Sequence, residues 1–279
     1  MTQGLTLFFL ARDSVLDFLG VLIMNVVITG GLGALGLGCA HAFLKAGAQV
    51  VLADIQDSTE VLSALSLVYA DRVIFVACDV SERDECAQLV EQSEAFFKGA
   101  IDVYLVNAGV PFGGGFLKAS QAQIRQVVDV NILGAIFCAQ TAIPSLLKNP
   151  SSYLIFTCSL QSTLGRSERS IYTASKHATA GLVKSLSLEF ARLGLRVNGI
   201  APAAIETPFL YSAFEGAQVS KDVGLKAAAE SLPLGRLPSV EEFAATAVFL
   251  TSPGAASITG QLLTLDAGAS AGVFPRQAL

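Results

Sequence analysis

The chain has 279 residues, of which 52% are hydrophobic and 15% are charged. That length and apolar content are enough to bury one large core, so we expect a single domain. The formal net charge is -5, the isoelectric point is near 5.1, and no run of Lys and Arg is present. These values argue against binding to the phosphate backbone of a nucleic acid.

Cysteine and histidine usage gives no sign of a metal site. The two histidines are too few for a His-rich site. The five cysteines form no Cys-x-x-Cys pair and lie in or beside apolar runs, which is typical of core residues in a reducing compartment. We therefore predict a cytoplasmic protein without a metal. The cysteines are Cys39, Cys78, Cys86, Cys138 and Cys158.

Two N-terminal features bear on membrane targeting. Residues 18–44 carry no charge and are long enough to span a bilayer, but the glycines within 30–38 are better explained by a strand and a turn. Residues 1–23 lack the basic start and the cleavage site of a secretory signal. We expect no membrane partner, an N-terminal extension over 1–23 of unassigned role, and a single domain over 24–279.

A strand, a glycine turn and a helix follow one another at the start of that domain. The β-branched run 26–29 leads into four glycines, at 30, 31, 33 and 36, and a second apolar run ends on Asp54. Glycine permits the backbone angles of the turn and lets a pyrophosphate approach bare N–H groups at the helix N-terminus. The unit predicts a dinucleotide site. A turn that binds nothing and a nucleoside-binding methyltransferase are the alternatives.

The acid at the end of the second strand bears on the choice of dinucleotide. Asp54 lies where its carboxylate is able to accept hydrogen bonds from both ribose hydroxyls of an adenosine. The same carboxylate repels a 2′-phosphate, and the neighbouring Leu32, Gly33 and Ile55 offer no basic side chain to bind one. The sequence therefore predicts NAD rather than NADP.

Helical and strand patterns alternate along the rest of the chain. The alternation predicts a parallel sheet, because a parallel neighbour requires a crossover. We expect an α/β protein: a single-domain Rossmann fold with a doubly wound parallel sheet of about seven strands and helices on both faces. Further strands are predicted at 73–77, 102–106, 152–157, 196–200 and 261–266, and helices at 59–67, 81–97, 120–147, 172–193 and from 238 onward.

Two local predictions concern the edge at which parallel strands end. Ser81, with Asp84 three residues later, is typical of a side-chain cap on the following helix. Residues 203–237 show no clear periodicity, and so long a connection in a compact domain is usually a functional lid, so we predict a substrate lid there. The glycine turn, Asp79, Asn107 and Ser159 all fall at this ligand-binding edge.

A tyrosine and a lysine lie four residues apart in a predicted helix. Tyr172 and Lys176 therefore share one face of it. A nearby ammonium favours the phenolate and lowers the tyrosine pKa, which would let Tyr172 exchange a proton with an alcohol or ketone. The spacing alone also arises by chance in helices, so the interpretation depends on other motifs.

Those other motifs make the pattern specific. Ser159 precedes Tyr172 by thirteen residues, Asn107-Ala108-Gly109 follows the fourth strand, Asn131 lies in the next helix, and Thr29-Gly30 opens the glycine turn. Together with Tyr172-x-x-x-Lys176, this order resembles the short-chain dehydrogenase/reductase family over about residues 24–268. The resemblance implies a Rossmann enzyme that moves a hydride between a nicotinamide and an alcohol or carbonyl carbon.

The resemblance also implies roles for individual residues. Tyr172 would be the acid and base, Lys176 would hold the nicotinamide ribose, Ser159 would bind the substrate oxygen, and Asn131 would anchor a water. Thr207 and the backbone at Ile205 would hold the carboxamide. The full implied cofactor set is Gly30, Gly31, Leu32, Gly33, Ala34, Leu35, Gly36, Asp54, Ile55, Cys78, Asp79, Val80, Asn107, Ala108, Gly109, Tyr172, Lys176, Pro202, Ile205 and Thr207.

Three positions depart from the family pattern. Ala34 stands where the middle glycine of the turn is expected, which predicts a turn slightly further from the pyrophosphate. Val106 precedes Asn107 where a second asparagine is usual, which predicts one weaker contact between strands. Ala203 replaces a glycine after Pro202 and predicts a stiffer loop. None of the three is a proton-transfer group.

The substrate is expected to be an apolar or aromatic secondary alcohol or its ketone. No Arg or Lys is obviously placed to hold a phosphate or carboxylate. Arg166 and Arg169 are the nearest exceptions, and solvated loop charges are the alternative interpretation of these two. Besides Ser159, the side chains expected around the substrate are Phe112, Phe116, Leu160, Leu164, Phe209, Leu210 and Phe214.

One further expectation concerns self-association of the chain. The predicted helix 172–193 is apolar around most of its circumference, which predicts a homotetramer, or a homodimer, that covers it.

The alternative to an enzyme is a non-catalytic nucleotide-sensing or scaffold protein on the same fold. A nicotinamide turnover assay separates the two.

Overall fold

The computed structural model describes residues 24–57, 59–216 and 219–273. The extension predicted over 1–23 lies outside these residues. The described strands are β1 Asn25–Thr29, β2 Gln49–Asp54, β3 Val73–Ala77, β4 Val103–Val106, β5 Ser152–Thr157, β6 Leu195–Pro202 and β7 Leu262–Leu265. The helices are α1 Ala34–Lys45, α2 Thr59–Tyr69, α3 Arg83–Phe97, α4 Gln121–Val128, α5 Gly134–Leu146, α6 Ser170–Phe190, α7 Pro208–Gly216, α8 Lys221–Glu230 and α9 Val240–Thr251.

The seven strands form one parallel sheet in the order β3-β2-β1-β4-β5-β6-β7. The strand order reverses between β1 and β4. Strand β1 pairs in parallel with both β2 and β4, so that Val27 lies opposite Val51 on one side and Tyr104 on the other. The predicted doubly wound Rossmann sheet is therefore confirmed. Ligands of such sheets bind in the crevice at this reversal, outside the carboxyl ends of the strands.

Both faces of the sheet are buried, which explains why the strands read as continuous apolar runs. On one face, Val27 and Phe156 pack with Leu89 of α3, Cys138 of α5 and Val183 of α6. On the other face, α1, α2 and α9 cover the sheet, with Phe43, Leu65 and Phe243 as contributors. The two helical layers fix the strands, and thereby the positions of the loops that follow them.

The predicted helix cap at Ser81 was wrong. Glu82 is the N-cap residue of α3 and makes no side-chain cap, while the Ser81 hydroxyl donates to the Asp79 carboxylate at 2.7 Å. Ser81 does not cap the helix because the Asp79 carboxylate, two residues upstream, offers its hydroxyl a charged acceptor. A hydrogen bond to a charged acceptor is stronger than one to a neutral acceptor. The segment 203–237, whose sequence shows no clear periodicity, contains α7 and α8.

One described stretch has the length and hydropathy of a membrane span. It runs from Gln121 to Leu146 through α4, one π-helical turn and α5. Its inner side belongs to the core of the domain, where Cys138 and Leu146 are almost fully buried against α3 and the sheet. A core helix of a globular domain shows this combination of features.

Candidate active site

A cavity of about 990 Å³ opens at the carboxyl ends of the strands, where the strand order reverses. It brings together most of the residues predicted from sequence. The predicted residues that line it are Gly30, Leu32, Gly33, Ala34, Leu35, Asp54, Ile55, Cys78, Asp79, Val80, Asn107, Ala108, Gly109, Phe112, Ser159, Leu160, Leu164, Tyr172, Lys176, Pro202, Ile205, Thr207, Phe209, Leu210 and Phe214.

Besides the exposed Phe116, three predicted residues do not line the cavity. Gly31 lies behind the turn, where its N–H donates to the Ala53 carbonyl at 2.9 Å and ties the turn to β2. Gly36 is buried in α1, and Asn131 is buried beneath the cavity wall. These three residues support the site from behind rather than facing a ligand in it.

The turn between β1 and α1 needs glycine at two positions. Gly30 has a φ of 60°, in the left-handed region that side chains disfavour. A Cβ at Gly36 would lie 2.3 Å from the Gly30 carbonyl oxygen, so only glycine lets α1 start this close to the strand. The first intrahelical bond runs from Leu37 N–H to the Gly33 carbonyl. The preceding amides of α1 are therefore free to bind an anion at the cavity edge.

The Asp54 carboxylate faces the glycine turn. One oxygen accepts from Leu32 N–H at 3.1 Å and the other from Ile55 N–H at 2.9 Å. The next strand contributes Asp79, one oxygen of which accepts from both the amide and the hydroxyl of Ser81. Both acids are thus fixed by local hydrogen bonds at the end of the cavity formed by β1, β2 and β3.

Asn107 joins three strands at the centre of the site. Its Nδ2 donates to the carbonyls of Thr29 and Gly30, both at 3.0 Å, and its Oδ1 accepts from the Thr157 hydroxyl at 2.9 Å. The Thr29 hydroxyl accepts in return from the Asn107 N–H at 3.0 Å. The single asparagine therefore connects β1 and β5 without a second one at Val106, whose side chain is buried in the core.

Tyr172, Ser159 and Lys176 meet at the other end of the cavity. Ser159 follows β5, and its hydroxyl accepts from Gln161 N–H at 3.2 Å. Lys176 is almost fully buried and its Nζ donates to the Thr157 carbonyl at 2.8 Å, which holds the ammonium 5.7 Å from the centre of the Tyr172 ring. A phenol, a hydroxyl and an ammonium thus line one wall.

The pKa of Tyr172 is shifted in the direction opposite to the sequence prediction. Burial raises it to about 12, because the phenolate is poorly solvated there, while Ser159 and the charge of Arg169 act in the lowering direction. Burial also lowers the pKa of Lys176. For Tyr172, burial therefore outweighs the lowering effects, and the expected net lowering of the Tyr172 pKa is wrong for the protein alone.

Asn131 occupies the π-helical turn between α4 and α5. Its Oδ1 accepts from Val110 N–H at 2.8 Å, and its Nδ2 donates to the Val110 carbonyl at 3.0 Å and to the Ser175 hydroxyl at 3.2 Å. Such π-turns inside α-helices are frequent at functional sites. The side chain links the loop after β4 to α6, next to Lys176.

The chain matches known proteins over most of its length. A profile of the family described as enoyl-(acyl carrier protein) reductase matches residues 31–270. The chain belongs to the short-chain dehydrogenase/reductase family. Two relatives are each 29% identical over 88% of this chain. One is 2,5-dichloro-2,5-cyclohexadiene-1,4-diol dehydrogenase of Sphingobium indicum, of which the match covers 97%. The other is cis-4-hydroxycyclohexanecarboxylate dehydrogenase of Sinomonas cyclohexanicum, of which the match covers 96%.

Two solved structures carry nicotinamide cofactors in their descriptions. The 3-ketoacyl-(acyl-carrier-protein) reductase of Brucella melitensis, complexed with NADH, is 28% identical, with a TM-score of 0.79 over 88% of this chain and 97% of the other. The protein ElxO with NADP bound is 25% identical, with a TM-score of 0.82 over 90% and 100%. This short-chain dehydrogenase/reductase is thus an oxidoreductase of a nicotinamide-dependent family.

A dinucleotide fits the residues of this short-chain dehydrogenase/reductase. The cavity reaches from Asp54, past the free amides of α1, to Tyr172 and Lys176. Its volume is at the upper end for ligand pockets, as a long cofactor with a substrate beside it requires. The glycine contacts at Gly30 and Gly36 bring the helix start to the cavity edge, which is where a pyrophosphate binds in such folds.

The substrate side of the cavity contains residues that the sequence analysis missed or misread. Phe112 is buried and the Phe209 ring lies 6.1 Å from the Tyr172 ring, but Phe116 is exposed and lies outside the cavity, because its 3₁₀ turn faces solvent. Arg166 and Arg169, for which solvated loop charges are the alternative interpretation, both line the cavity. Their position just before the Tyr172 helix was the available signal.

Proposed function

We propose that the protein is an NAD-dependent alcohol dehydrogenase and ketone reductase, of the class EC 1.1.1, that acts on a secondary alcohol or its ketone. The observation that carries the proposal is the shared cavity: Tyr172, Ser159 and Lys176 line the same cavity as the glycine turn and Asp54. A phenol and a hydroxyl that converge beside a dinucleotide site are the groups needed to exchange a proton with a carbinol oxygen.

The roles of the chain's own residues follow from their contacts. The bound nicotinamide accepts or supplies the hydride. In oxidation, the Ser159 hydroxyl binds the substrate oxygen and the Tyr172 phenolate takes its proton; in reduction, the phenol returns that proton to the ketone oxygen. Lys176, held by Thr157, keeps a positive charge near the phenolate and binds the nicotinamide ribose. Asn131 orients Val110 and Ser175, and we propose that it anchors a water between Lys176 and solvent.

The preference for NAD is supported by the charge at the adenosine end of the cavity. Asp54 presents a carboxylate there, and Leu32, Gly33 and Ile55 are apolar or lack a side chain. A 2′-phosphate in this position meets a like charge and no basic partner, whereas two ribose hydroxyls are able to donate to the carboxylate. We expect NAD to be preferred by roughly tenfold to a thousandfold in catalytic efficiency.

The predicted lid remains part of the proposal. Residues 203–237 contribute Ile205, Thr207, Phe209, Leu210 and Phe214 to the cavity lining. We propose that α7 and α8 cover a substrate with an apolar or aromatic body, and that Thr207 and the Ile205 backbone hold the carboxamide. The names of two relatives describe ring alcohols, which is consistent with an apolar ring-shaped substrate.

The decisive experiment is nicotinamide turnover over a panel of secondary alcohols and ketones, with NAD(H) and NADP(H) compared. The matched variant Tyr172→Phe removes the exchangeable proton and keeps the ring. We expect turnover with NAD(H) by the unaltered protein and none by the variant, which still binds the cofactor. Cofactor binding without turnover of any compound would favour the nucleotide-sensing or scaffold alternative.

We also propose a homotetramer, or a homodimer, and a reducing cytoplasmic compartment. Leu188 of α6 is 84% exposed and Leu193, in the turn that follows, is 57% exposed, so this side of the helix presents apolar surface. All five cysteines are free and buried. The first observation supports self-association, and the second supports a reducing environment.

A further inference from the structure

We infer that the substrate carries a carboxylate, which Arg169 and Arg166 bind at the Tyr172 end of the cavity. The inference rests on the proposed function and names the substrate class more closely: an apolar body with a hydroxyl or ketone at one position and a single negative charge at another. Four observations support it, and each concerns residues that line the cavity.

The first observation is the fixed position of Arg169. This residue is the N-cap of α6, three residues before Tyr172, and both side chains line the cavity. Its Nη1 donates to the Phe112 carbonyl at 3.0 Å. A Cβ at Gly113 would lie 2.5 Å from Nη1, so the absence of a side chain there lets the guanidinium pack on the loop after β4.

The second observation is that Arg169 forms no ion pair with any of the residues that the structure describes. Within the described chain, none of the ion pairs involves Arg166 or Arg169, although the acids Asp54, Asp79 and Asp129 line the same cavity. Burial and the like charge of Arg166 both lower the pKa of Arg169, and the weaker opposing effects come from Tyr172 and then from Glu168. An anion from outside the chain offsets both unfavourable effects.

The third observation concerns the hydrogen-bonding groups that Arg169 keeps available. Only Nη1 has a partner in the described structure, which leaves Nε and Nη2 without one. These two nitrogens form the edge of the guanidinium that binds both oxygens of a carboxylate in a planar, bidentate arrangement. Arg166 is exposed and adds a second positive charge at the mouth of the cavity.

The fourth observation is the apolar lining of the same end of the cavity. Phe112 is buried, the Phe209 ring lies 6.1 Å from the Tyr172 ring, and Leu164 and Leu210 complete this lining. Such walls hold a hydrocarbon body but do not fix its orientation. A single charged contact at Arg169 does so, and thereby directs one carbon of the substrate toward Ser159 and Tyr172.

The test compares acids with nearly isosteric neutral amides. We would measure kcat/KM for 4-oxocyclohexanecarboxylate, 4-acetylbenzoate and 5-oxohexanoate against their primary amides. Inhibition by cyclohexanecarboxylate and by cyclohexanecarboxamide would be measured against a neutral ketone that the enzyme reduces. We expect at least one acid to exceed its amide by about 10- to 100-fold, the range of a charged hydrogen bond. The carboxylate inhibitor should show the same preference over its amide.

Variants assign the preference to the two arginines. Arg169→Met should reduce the acid-to-amide ratio to near one, and because any general loss of activity affects acid and amide alike, the ratio rather than either rate is the readout. Arg166→Met, at an exposed site, should reduce the ratio by only about two- to fivefold. Arg169→Lys should restore part of the ratio by charge alone. Arg192→Met removes an exposed arginine outside the cavity and should leave the ratio unchanged.

The outcomes separate the inference from the proposed function. If neutral ketones turn over and neither acids nor the carboxylate inhibitor are preferred, the carboxylate site is refuted and the enzyme assignment stands. The same conclusion holds if the acids are preferred but the ratio survives in both Met variants. If no compound of either panel turns over, the proposed function fails and the substrate inference fails with it.

Discussion

Replacing Asn107 by alanine should weaken the protein and its cofactor site together, because one side chain connects both. The amide makes three side-chain hydrogen bonds, to Thr29, Gly30 and Thr157. At about 1 kcal/mol for each, the variant should lose about 3 kcal/mol of unfolding free energy. In a chain of this size that corresponds to a decrease of roughly 6–12 °C in Tm.

The site is affected because Asn107 holds the carbonyl of Gly30, the residue with positive φ at which the glycine turn begins. Loosening this contact lets the turn sample conformations in which the α1 amides no longer converge. We expect the Kd for NADH to rise about tenfold, equivalent to about 1.4 kcal/mol. Asn107→Asp should be at least as damaging, since a carboxylate cannot donate to the two carbonyls.

Asn149 provides the matched control. It is also half-buried and its Nδ2 donates to the Ile101 carbonyl at 3.0 Å and to Asp102 at 2.8 Å, at the opposite edge of the sheet. Asn149→Ala should lower Tm by a similar amount and leave the Kd for NADH within twofold. Calorimetry would give Tm, and titration of NADH fluorescence would give Kd. Equal changes of Kd in the two variants would refute the assigned role of Asn107.

Four further predictions follow from the site. Tyr172→Phe should bind NADH with nearly unchanged Kd and lose at least about a thousandfold in kcat, as expected when the general acid is removed; retained turnover would assign the proton transfer elsewhere. Burial raises the pKa of Tyr172 to about 12, so the rate of alcohol oxidation should rise from pH 7 to 9 while the rate of ketone reduction stays level. A rate of ketone reduction that decreases as the pH rises from 7 to 9 would contradict this shift. Asp54→Ser should reduce the NAD preference mainly by weakening NAD, which kcat/KM for both cofactors would measure; an unchanged ratio would show that Asp54 does not select. Light scattering should give a multiple of 29.0 kDa, and a Leu188→Glu variant should shift it toward the monomer.

The parts of the fold that depend on local pattern could be predicted from the sequence. The glycine turn and the acid at the end of β2 specify a βα unit within 30 residues, and alternating strands and helices then require a parallel sheet. Asn107, Ser159 and Tyr172 could be assigned to one edge because the carboxyl ends of parallel strands meet there. The spacing of these residues identifies the family before any contact is known.

The features that depend on non-local contacts could not be predicted. In α7, Phe209 and Leu210 face the cavity rather than the domain core, so their spacing does not show the usual buried stripe of a helix. Arg169 lines the cavity because its guanidinium packs on Phe112 and Gly113, more than fifty residues earlier in the chain. Its position just before the Tyr172 helix places it near the site, but no local pattern shows that its side chain lines the cavity.

The Tyr172 pKa shows most clearly why spacing is insufficient. The four-residue interval to Lys176 predicts proximity, and the structure has the ammonium 5.7 Å from the ring centre, yet burial raises the phenol pKa to about 12. Desolvation depends on everything that covers the side chain and opposes any single neighbouring charge. The tyrosine is therefore an acid in the protein alone, suited to ketone reduction. Its use as a base would require further positive charge beside it, which an oxidised nicotinamide held at Tyr172 and Lys176 would supply.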